Sequence, residues 1–247
     1  NKSAATGFNE DLYFSGLKKA LRMDEYVTRH SIIMDQYDSS KKISLFVDEW
    51  GIWTDVEPGT IPGHLFQQNS MRDALIASNT LDILNKHCDR VRMANIAQVV
   101  NVLQAMILTK GNQMILTPTY HVFKMYNVHQ DATLLPSSLF TEKYKHGEDE
   151  IPAISSSTSI DKNGKIHVTI SNINPSKEIK LEINLSGKAI AKINSATVLT
   201  APTFNSVNTF EKPDVIVPVA FKNAKKLADN KFEVSIPGKS IVALELE

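Results

Sequence analysis

The chain changes in character partway along its length, and this change restricts the folds it can adopt. All seven methionines lie at or before Met125, and all five arginines lie at or before Arg92. Beyond about residue 130, Val, Ile, Thr and Ser become frequent, and the charged residues are mostly Lys, Asp and Glu. We therefore predict two units in the 247 residues, 1–130 and 131–247, with their boundary in the region 130–150.

The second unit has the pattern of an antiparallel β-sandwich. Polar and apolar residues alternate in short segments, as they do in strands with one buried face. Gly- and Pro-containing turns such as Pro237-Gly238 separate these segments. The candidate strands are residues 165–170, 178–183, 196–199, 215–217, 232–236 and 241–244.

The first unit alternates helical and strand-like segments, which indicates βα units around a parallel sheet. The apolar run 42–47 suits a buried parallel strand, and a second strand is expected at the start of 92–102. Apolar residues at helical spacing predict helices over about 12–26 and 68–85. A further helix is expected to start at Thr117-Pro118, a capping residue followed by proline.

Composition disfavours several classes of function. Lys plus Arg and Asp plus Glu both number 27, so the formal net charge is zero and nucleic-acid binding is not expected. No apolar run approaches the roughly 18–20 residues that span a bilayer. The single Cys88 cannot form an internal disulfide or a thiol-rich metal site, and no two histidines have zinc-binding i, i+4 spacing. There is no glycine-rich phosphate loop. We therefore expect no metal and no cofactor.

The segment that most strongly suggests chemistry is the end of the first predicted strand. Asp48 and Glu49 close it, and Trp50 and Trp53 follow. Carboxylates at the C-terminal ends of barrel strands form active sites. Indole rings beside them can pack against the apolar faces of a sugar. An ordinary acidic loop after a strand has the same pattern, so spacing alone leaves both interpretations open.

The segment 47–53 resembles the nucleophile segment of the family 51 glycoside hydrolases, the retaining α-L-arabinofuranosidases. The likeness extends over essentially the whole chain, through residues 55–60, 67–75, 91–102, 116–123 and 208–213. It implies a multidomain α/β plus β fold, in which the C-terminal portion of a (β/α)8 barrel is followed by an antiparallel β-sandwich. Residues 1–130 would then hold about strands seven and eight with flanking helices, and 131–247 the sandwich.

The resemblance also implies roles for individual residues. Glu49 matches the nucleophile of a double-displacement mechanism that releases terminal α-L-arabinofuranosyl units from oligo- or polysaccharides. Trp53 matches a tryptophan of the sugar pocket, and Trp50 is a further candidate contact. His121 lies near the same rim by sequence, although a role in helix packing is equally open. Family members often self-associate, which makes a homo-oligomer an expectation here.

The resemblance leaves the general acid/base without a match. The family's glutamate follows an asparagine at the end of barrel strand four, and only Asn9-Glu10 has that dipeptide. No strand-like run precedes it, and it lies only 39 positions before Glu49. Strands four and seven should lie about 90 residues apart. We therefore expect this chain to be the C-terminal part of a longer enzyme and to have little or no hydrolase activity alone.

Two other interpretations remain open at this stage. The sandwich could be a non-catalytic carbohydrate-binding or assembly module that carries a barrel remnant. Its only aromatic residues after Tyr144 are four phenylalanines, which is a poor composition for a sugar platform. Alternatively, a separate chain could complete the barrel.

Overall fold

The computed structural model describes residues 2–187 and 189–247. Its α-helices are α1 (Glu10–Ala20), α2 (Arg22–Tyr37), α3 (Met71–Lys86) and α4 (Pro118–Tyr126). The strands before residue 153 are β1 (Leu45–Trp50), β2 (Val91–Ile96), β3 (Ile107–Lys110), β4 (Gln113–Leu116), β5 (Thr133–Leu134), β6 (Lys143–His146) and β7 (Asp149–Pro152). The later strands are β8 (Ile154–Ile160), β9 (Ile166–Asn172), β10 (Ile179–Asn184), β11 (Ile193–Thr200), β12 (Val219–Ala220), β13 (Ala224–Ala228), β14 (Lys231–Ile236) and β15 (Ser240–Leu246).

Strand β1, helix α3 and strand β2 form a parallel βαβ unit. The two strands pair in parallel, with Phe46 opposite Met93. Helix α3 begins at a capping box, in which Asp73 Oδ2 accepts from the backbone N–H of Ser70 at 2.8 Å and from its hydroxyl at 2.7 Å. Almost every residue of α3 is buried, so this helix is the central element of the molecule.

The later strands form two antiparallel sheets, as the alternating pattern predicted. One sheet has the strand order β12-β11-β15-β9-β8-β5, and the other has the order β10-β14-β13. Ile166, Val168 and Ile170 of the larger sheet belong to the same hydrophobic cluster as Phe232 and Val234 of the smaller one. The sheet-rich arrangement is consistent with the expected β-sandwich.

Helices α3 and α4 cover the face of the larger sheet that is opposite the smaller sheet. They contact it through a polar seam, which consists of the hydrogen-bonded side chains between α3, α4 and strands β8 and β9. Its centre is Asp82 on α3, which accepts from Ser155 at 2.5 Å, Ser157 at 2.6 Å and Tyr126 at 3.0 Å. Burial raises the pKa of Asp82 to about 6, against the opposing effect of these hydroxyl donors. Strand β9 is therefore buried on both faces, whereas its alternation had predicted one solvated face.

Several elements differ from the sequence-based expectations. The helix expected over 12–26 is two helices, since α1 ends at Ala20 and α2 runs on to Tyr37. Residues 215–217 are not a strand, because Asn208 binds the backbone of Ile216 through both its amide oxygen and its amide nitrogen. The polar stretch 143–150 lies in the β6–β7 hairpin. The hairpin β3–β4 was not anticipated.

Among residues 2–187 and 189–247, none of the helices is both long enough and apolar enough to cross a membrane.

Candidate active site

Glu49 lies at the C-terminal end of β1 and lines a cavity of about 420 Å³. The side chain is exposed, and within the described residues it has no hydrogen-bonding or ion-pair partner. Trp53 lines the same cavity, with 53% of its surface exposed. The opposite wall comes from α1 and α2, through residues including Gly16, Lys19, Met23 and Tyr26. The structure therefore brings together the two residues that the sequence pattern paired.

The segment 2–4 lies beside Trp53, and its Ser3 forms another part of the cavity wall. Lys2 places its Nζ 4.2 Å from the centre of the Trp53 ring, a cation–π contact. The carbonyl of Ser3 accepts from the backbone N–H of Asp55 at 2.9 Å. Arg72 holds the segment from beneath, since its Nη1 donates to Ala4 O at 3.2 Å. The sequence pattern does not indicate this segment, because its contact with Arg72 is made across nearly 70 residues of chain.

Trp50 lies in a different environment from Trp53, although it also borders the cavity. Only 5% of its surface is exposed, and its ring stacks on Phe123 of α4 with centroids 5.8 Å apart and an angle of 17°. Such a ring contributes mainly to core packing. The geometry thus offers more surface to a ligand at Trp53 than at Trp50.

Two buried glutamines hold the backbone between Glu49 and Trp53, and we call them the glutamine clamp. Gln104 Nε2 donates to the carbonyl of Ile52 at 3.0 Å, and Gln67 Nε2 reaches the same carbonyl at 3.4 Å. Gln67 Oε1 accepts from the backbone N–H of Thr54 at 3.2 Å. The loop that carries Trp53 is therefore fixed on both sides of the indole. Neither glutamine stands out in the sequence pattern.

His121 is not brought into the cavity of Glu49. It lies in α4, is 8% exposed, and contacts the edge of the Tyr120 ring with centroids 5.6 Å apart. Together with Lys124, His167 and Glu245 it lines another cavity of about 380 Å³, against the larger sheet. Burial, and secondarily Lys124, lowers the pKa of His121, which favours a neutral imidazole at pH 7.

Within residues 2–187 and 189–247, no group of three or more His, Cys, Asp or Glu side chains is arranged to hold a metal ion.

The chain is similar to known proteins over its whole length. Residues 48–240 match the family model described as the α-L-arabinofuranosidase C-terminal domain. An intracellular exo-α-L-arabinofuranosidase of Bacteroides ovatus is 48% identical over 100% of this chain and 48% of its own length. An intracellular exo-α-(1→5)-L-arabinofuranosidase of Streptomyces lividans is 26% identical over 83% of this chain and 33% of its own length.

Solved structures agree with the sequence relatives. The crystal structure of the GH51 arabinofuranosidase from Xanthomonas axonopodis pv. citri has a TM-score of 0.97 and 46% identity, covering 100% of this chain and 50% of that one. The thermostable GH51 α-L-arabinofuranosidase from Thermotoga petrophila has a TM-score of 0.80 and 25% identity, covering 95% of this chain and 50% of that one. The chain thus spans about half the length of its full-length relatives. These findings confirm the resemblance that residues 47–53 suggested: the chain belongs to glycoside hydrolase family 51, the α-L-arabinofuranosidases, and corresponds to their C-terminal part.

Proposed function

We propose that this chain carries the nucleophile of a retaining exo-α-L-arabinofuranosidase, and that this nucleophile is Glu49. The observation that carries the proposal is the position of Glu49 at the end of a parallel strand, in a cavity that it shares with the exposed Trp53. The names of the Bacteroides and Streptomyces relatives support terminal arabinofuranosyl units as the substrate.

The proposed fold of the active enzyme is a (β/α)8 barrel, to which residues 1–130 contribute strands β1 and β2 as the seventh and eighth strands. Residues 131–247 form the sandwich in this proposal. The parallel pairing of β1 with β2 across α3 supports it. Phe46 and Met93, opposite one another on the two strands, are 53% and 38% exposed. Apolar side chains on neighbouring strands would be covered by the remaining barrel strands.

The reaction follows from the geometry that a retaining glycosidase requires. Two carboxyl groups lie roughly 5–5.5 Å apart in such enzymes. A carboxylate oxygen of Glu49 attacks the anomeric carbon, and the bond from that carbon to the leaving oxygen breaks. A general acid donates its proton to the leaving oxygen. The same group then deprotonates a water, which attacks the anomeric carbon and releases Glu49 and arabinose with retained configuration. We assign the general acid to the upstream half of the enzyme.

Trp53 has a separate role in this proposal, which is to provide an apolar surface for the furanose ring. Its exposed indole lines the cavity that the sugar would occupy. Trp50 is packed in the core, through its stacked contact with Phe123. His121, in its own cavity, has no role in the proposed reaction.

The proposal is tested by substituting the nucleophile in the intact enzyme, which contains this chain and the upstream half. Glu49→Gln should lower kcat on an aryl α-L-arabinofuranoside by about 10³-fold or more. Glu148→Gln, at an exposed hairpin residue, serves as the matched control and should keep full turnover. Retention of normal turnover by Glu49→Gln would show that another group is the nucleophile.

A second measurement identifies the covalent step. With Glu49→Ala, azide can take the vacated position and attack the anomeric carbon from the nucleophile's side. The expected product is β-L-arabinofuranosyl azide, of inverted configuration. The 247-residue chain assayed alone on an arabino-oligosaccharide should give no turnover, because without a general acid the sugar leaving group would depart as a poor alkoxide.

A further inference from the structure

The backbone between Glu49 and Trp53 is held by both glutamines of the clamp, and Gln104 connects it to helix α3. The Gln104 amide nitrogen donates to Ile52 O at 3.0 Å and to Asp73 Oδ1 at 2.9 Å. Both partners are acceptors only, so the position requires a group with two N–H donors. Among side chains of this length, the primary amide of glutamine supplies two donors without adding a charge.

The shape of the loop also depends on Gln104. Gly51 has φ +130°, and a Cβ at Gly51 would lie 2.7 Å from Gln104 Cγ. The aliphatic part of the Gln104 side chain therefore packs directly against the backbone of the loop. It occupies the space that the side chain of any larger residue at position 51 would need. Gln104 itself has φ +51°, a conformation that costs a non-glycine residue about 1 kcal/mol. Its hydrogen bonds and packing offset that cost.

The clamp is connected to the buried first turn of helix α3. Asp73, which accepts from Gln104, also closes the capping box at the start of α3. Its other oxygen accepts from Ser70, and its side chain is fully buried. A continuous chain of hydrogen bonds thus runs from the first turn of α3, through Gln104, to the carbonyl of Ile52. The next residue along the chain from that carbonyl is Trp53.

We propose that Gln104 and Gln67 are positioning residues, which act through Ile52 to hold the Trp53 indole at the sugar face of the Glu49 cavity. This inference rests on the proposed arabinofuranosidase function for the identity of the ligand. Neither glutamine is proposed to touch the substrate, since both are buried beneath the loop. Their effect on the reaction is exerted through the orientation of Trp53.

The test uses the intact enzyme labelled with 5-fluorotryptophan, in which the Trp53 signal is assigned by its loss in Trp53→Phe. Gln104→Met keeps the length of the side chain but removes both donors. The ¹⁹F resonance of Trp53 should then shift or broaden, while that of the buried Trp50 stays in place. The value of kcat/KM for an aryl α-L-arabinofuranoside should fall about tenfold, mainly through a higher KM, since stacking is lost in ground and transition states alike.

The matched control is Gln130→Met, which makes the same substitution at an exposed glutamine and should change neither the spectrum nor the kinetics. An unchanged Trp53 resonance in folded Gln104→Met would overturn the proposal. If Gln104→Met does not fold, Gln67→Met decides the question in the same way, because Gln67 contacts Ile52 O and the Thr54 N–H. If the wild-type enzyme does not cleave the substrate, the proposed function fails, whereas the ¹⁹F spectra still decide whether the glutamines position Trp53.

Discussion

Asp82 on helix α3 accepts a hydrogen bond of 2.6 Å from the hydroxyl of Ser157 on strand β8. This contact lies at the centre of the polar seam, where a buried carboxyl group joins the helices to the larger sheet. Burying a carboxylate is unfavourable unless it is hydrogen-bonded, and here three hydroxyl groups supply the donors. One titratable group therefore lies among the contacts that attach the sheet to α3.

Asp82 should make the free energy of unfolding fall as pH rises, which is the opposite of the usual effect of an aspartate. Its pKa is raised from 3.8 to about 6 in the folded state, so between these values the folded chain binds more protons than the unfolded chain. The free energy of unfolding contributed by Asp82 should therefore fall as pH rises from about 4 to about 6, by about 3 kcal/mol. Asp82→Asn, which cannot titrate, should remove this slope. Urea unfolding from pH 4 to pH 7 would measure it.

The difference between wild type and variant isolates Asp82 from the other titrating groups, since these are shared. Asn can still accept from Tyr126 and Ser157 through its oxygen and donate to Ser155 through its nitrogen. Asp82→Ala, which leaves the hydroxyls without a partner, should be less stable than Asp82→Asn at every pH. A difference between wild type and Asp82→Asn that is constant from pH 4 to pH 7 would contradict the assignment.

Tyr13 should tie α1 to the sheets through its hydroxyl. That hydroxyl donates to Ile173 O at 2.6 Å, and the ring stacks on Phe204 with centroids 4.7 Å apart. Tyr13→Phe keeps the ring and should cost about 1–2 kcal/mol of unfolding free energy, because a buried carbonyl loses a donor. The same change at Tyr37, which is 87% exposed, should have no measurable effect. Equal urea midpoints for the two variants would show that the Tyr13 hydroxyl contributes little.

The sequence predicted individual helices and strands better than the contacts between them. Thr117 and Pro118 begin α4 as expected, with Thr117 as N-cap, because capping is decided by neighbouring residues. The burial of both faces of β9 was missed, because it depends on hydroxyl groups that find partners on α3, such as Ser171 with Ser78 at 2.9 Å. The pattern of one strand does not reveal that a distant helix supplies those partners.

Substitution of the two tryptophans should distinguish a ring that packs in the core from a ring that is half-exposed. Trp50→Ala removes a buried ring that stacks on Phe123 and should cost about 3–5 kcal/mol of unfolding free energy. Trp53→Ala removes a half-exposed ring and should cost less than about 1 kcal/mol. In the intact enzyme, Trp53→Ala should raise KM for the aryl arabinofuranoside. The interpretation fails if Trp53→Ala destabilises the chain as much as Trp50→Ala does.

In the candidate site, as in the fold, contacts between residues near in sequence were predicted, whereas contacts between distant residues were not. Glu49 and Trp53 lie only four positions apart in sequence, so the pattern of residues 47–53 predicted their juxtaposition without knowledge of the tertiary structure. Gln104 lies 52 residues from the carbonyl that it binds, and nothing in its own neighbours indicates this contact. The sequence placed His121 near the rim, yet the face of α4 on which it lies is turned to the larger sheet.

Gly51 should be the least replaceable glycine of the loop. An alanine there meets two separate obstacles: the backbone at φ +130°, and a Cβ placed 2.7 Å from Gln104 Cγ. Gly51→Ala should therefore lower the free energy of unfolding by about 2 kcal/mol or more. Gly59 has φ +80° with no atom within 4 Å of its added Cβ, so Gly59→Ala carries only the backbone cost, about 1–2 kcal/mol.

Adding Gln104→Ala to Gly51→Ala removes the clash but not the backbone strain, so the two changes together should cost less than the sum of the single changes. Strict additivity in urea unfolding would show that Gln104 does not pack on Gly51 in solution.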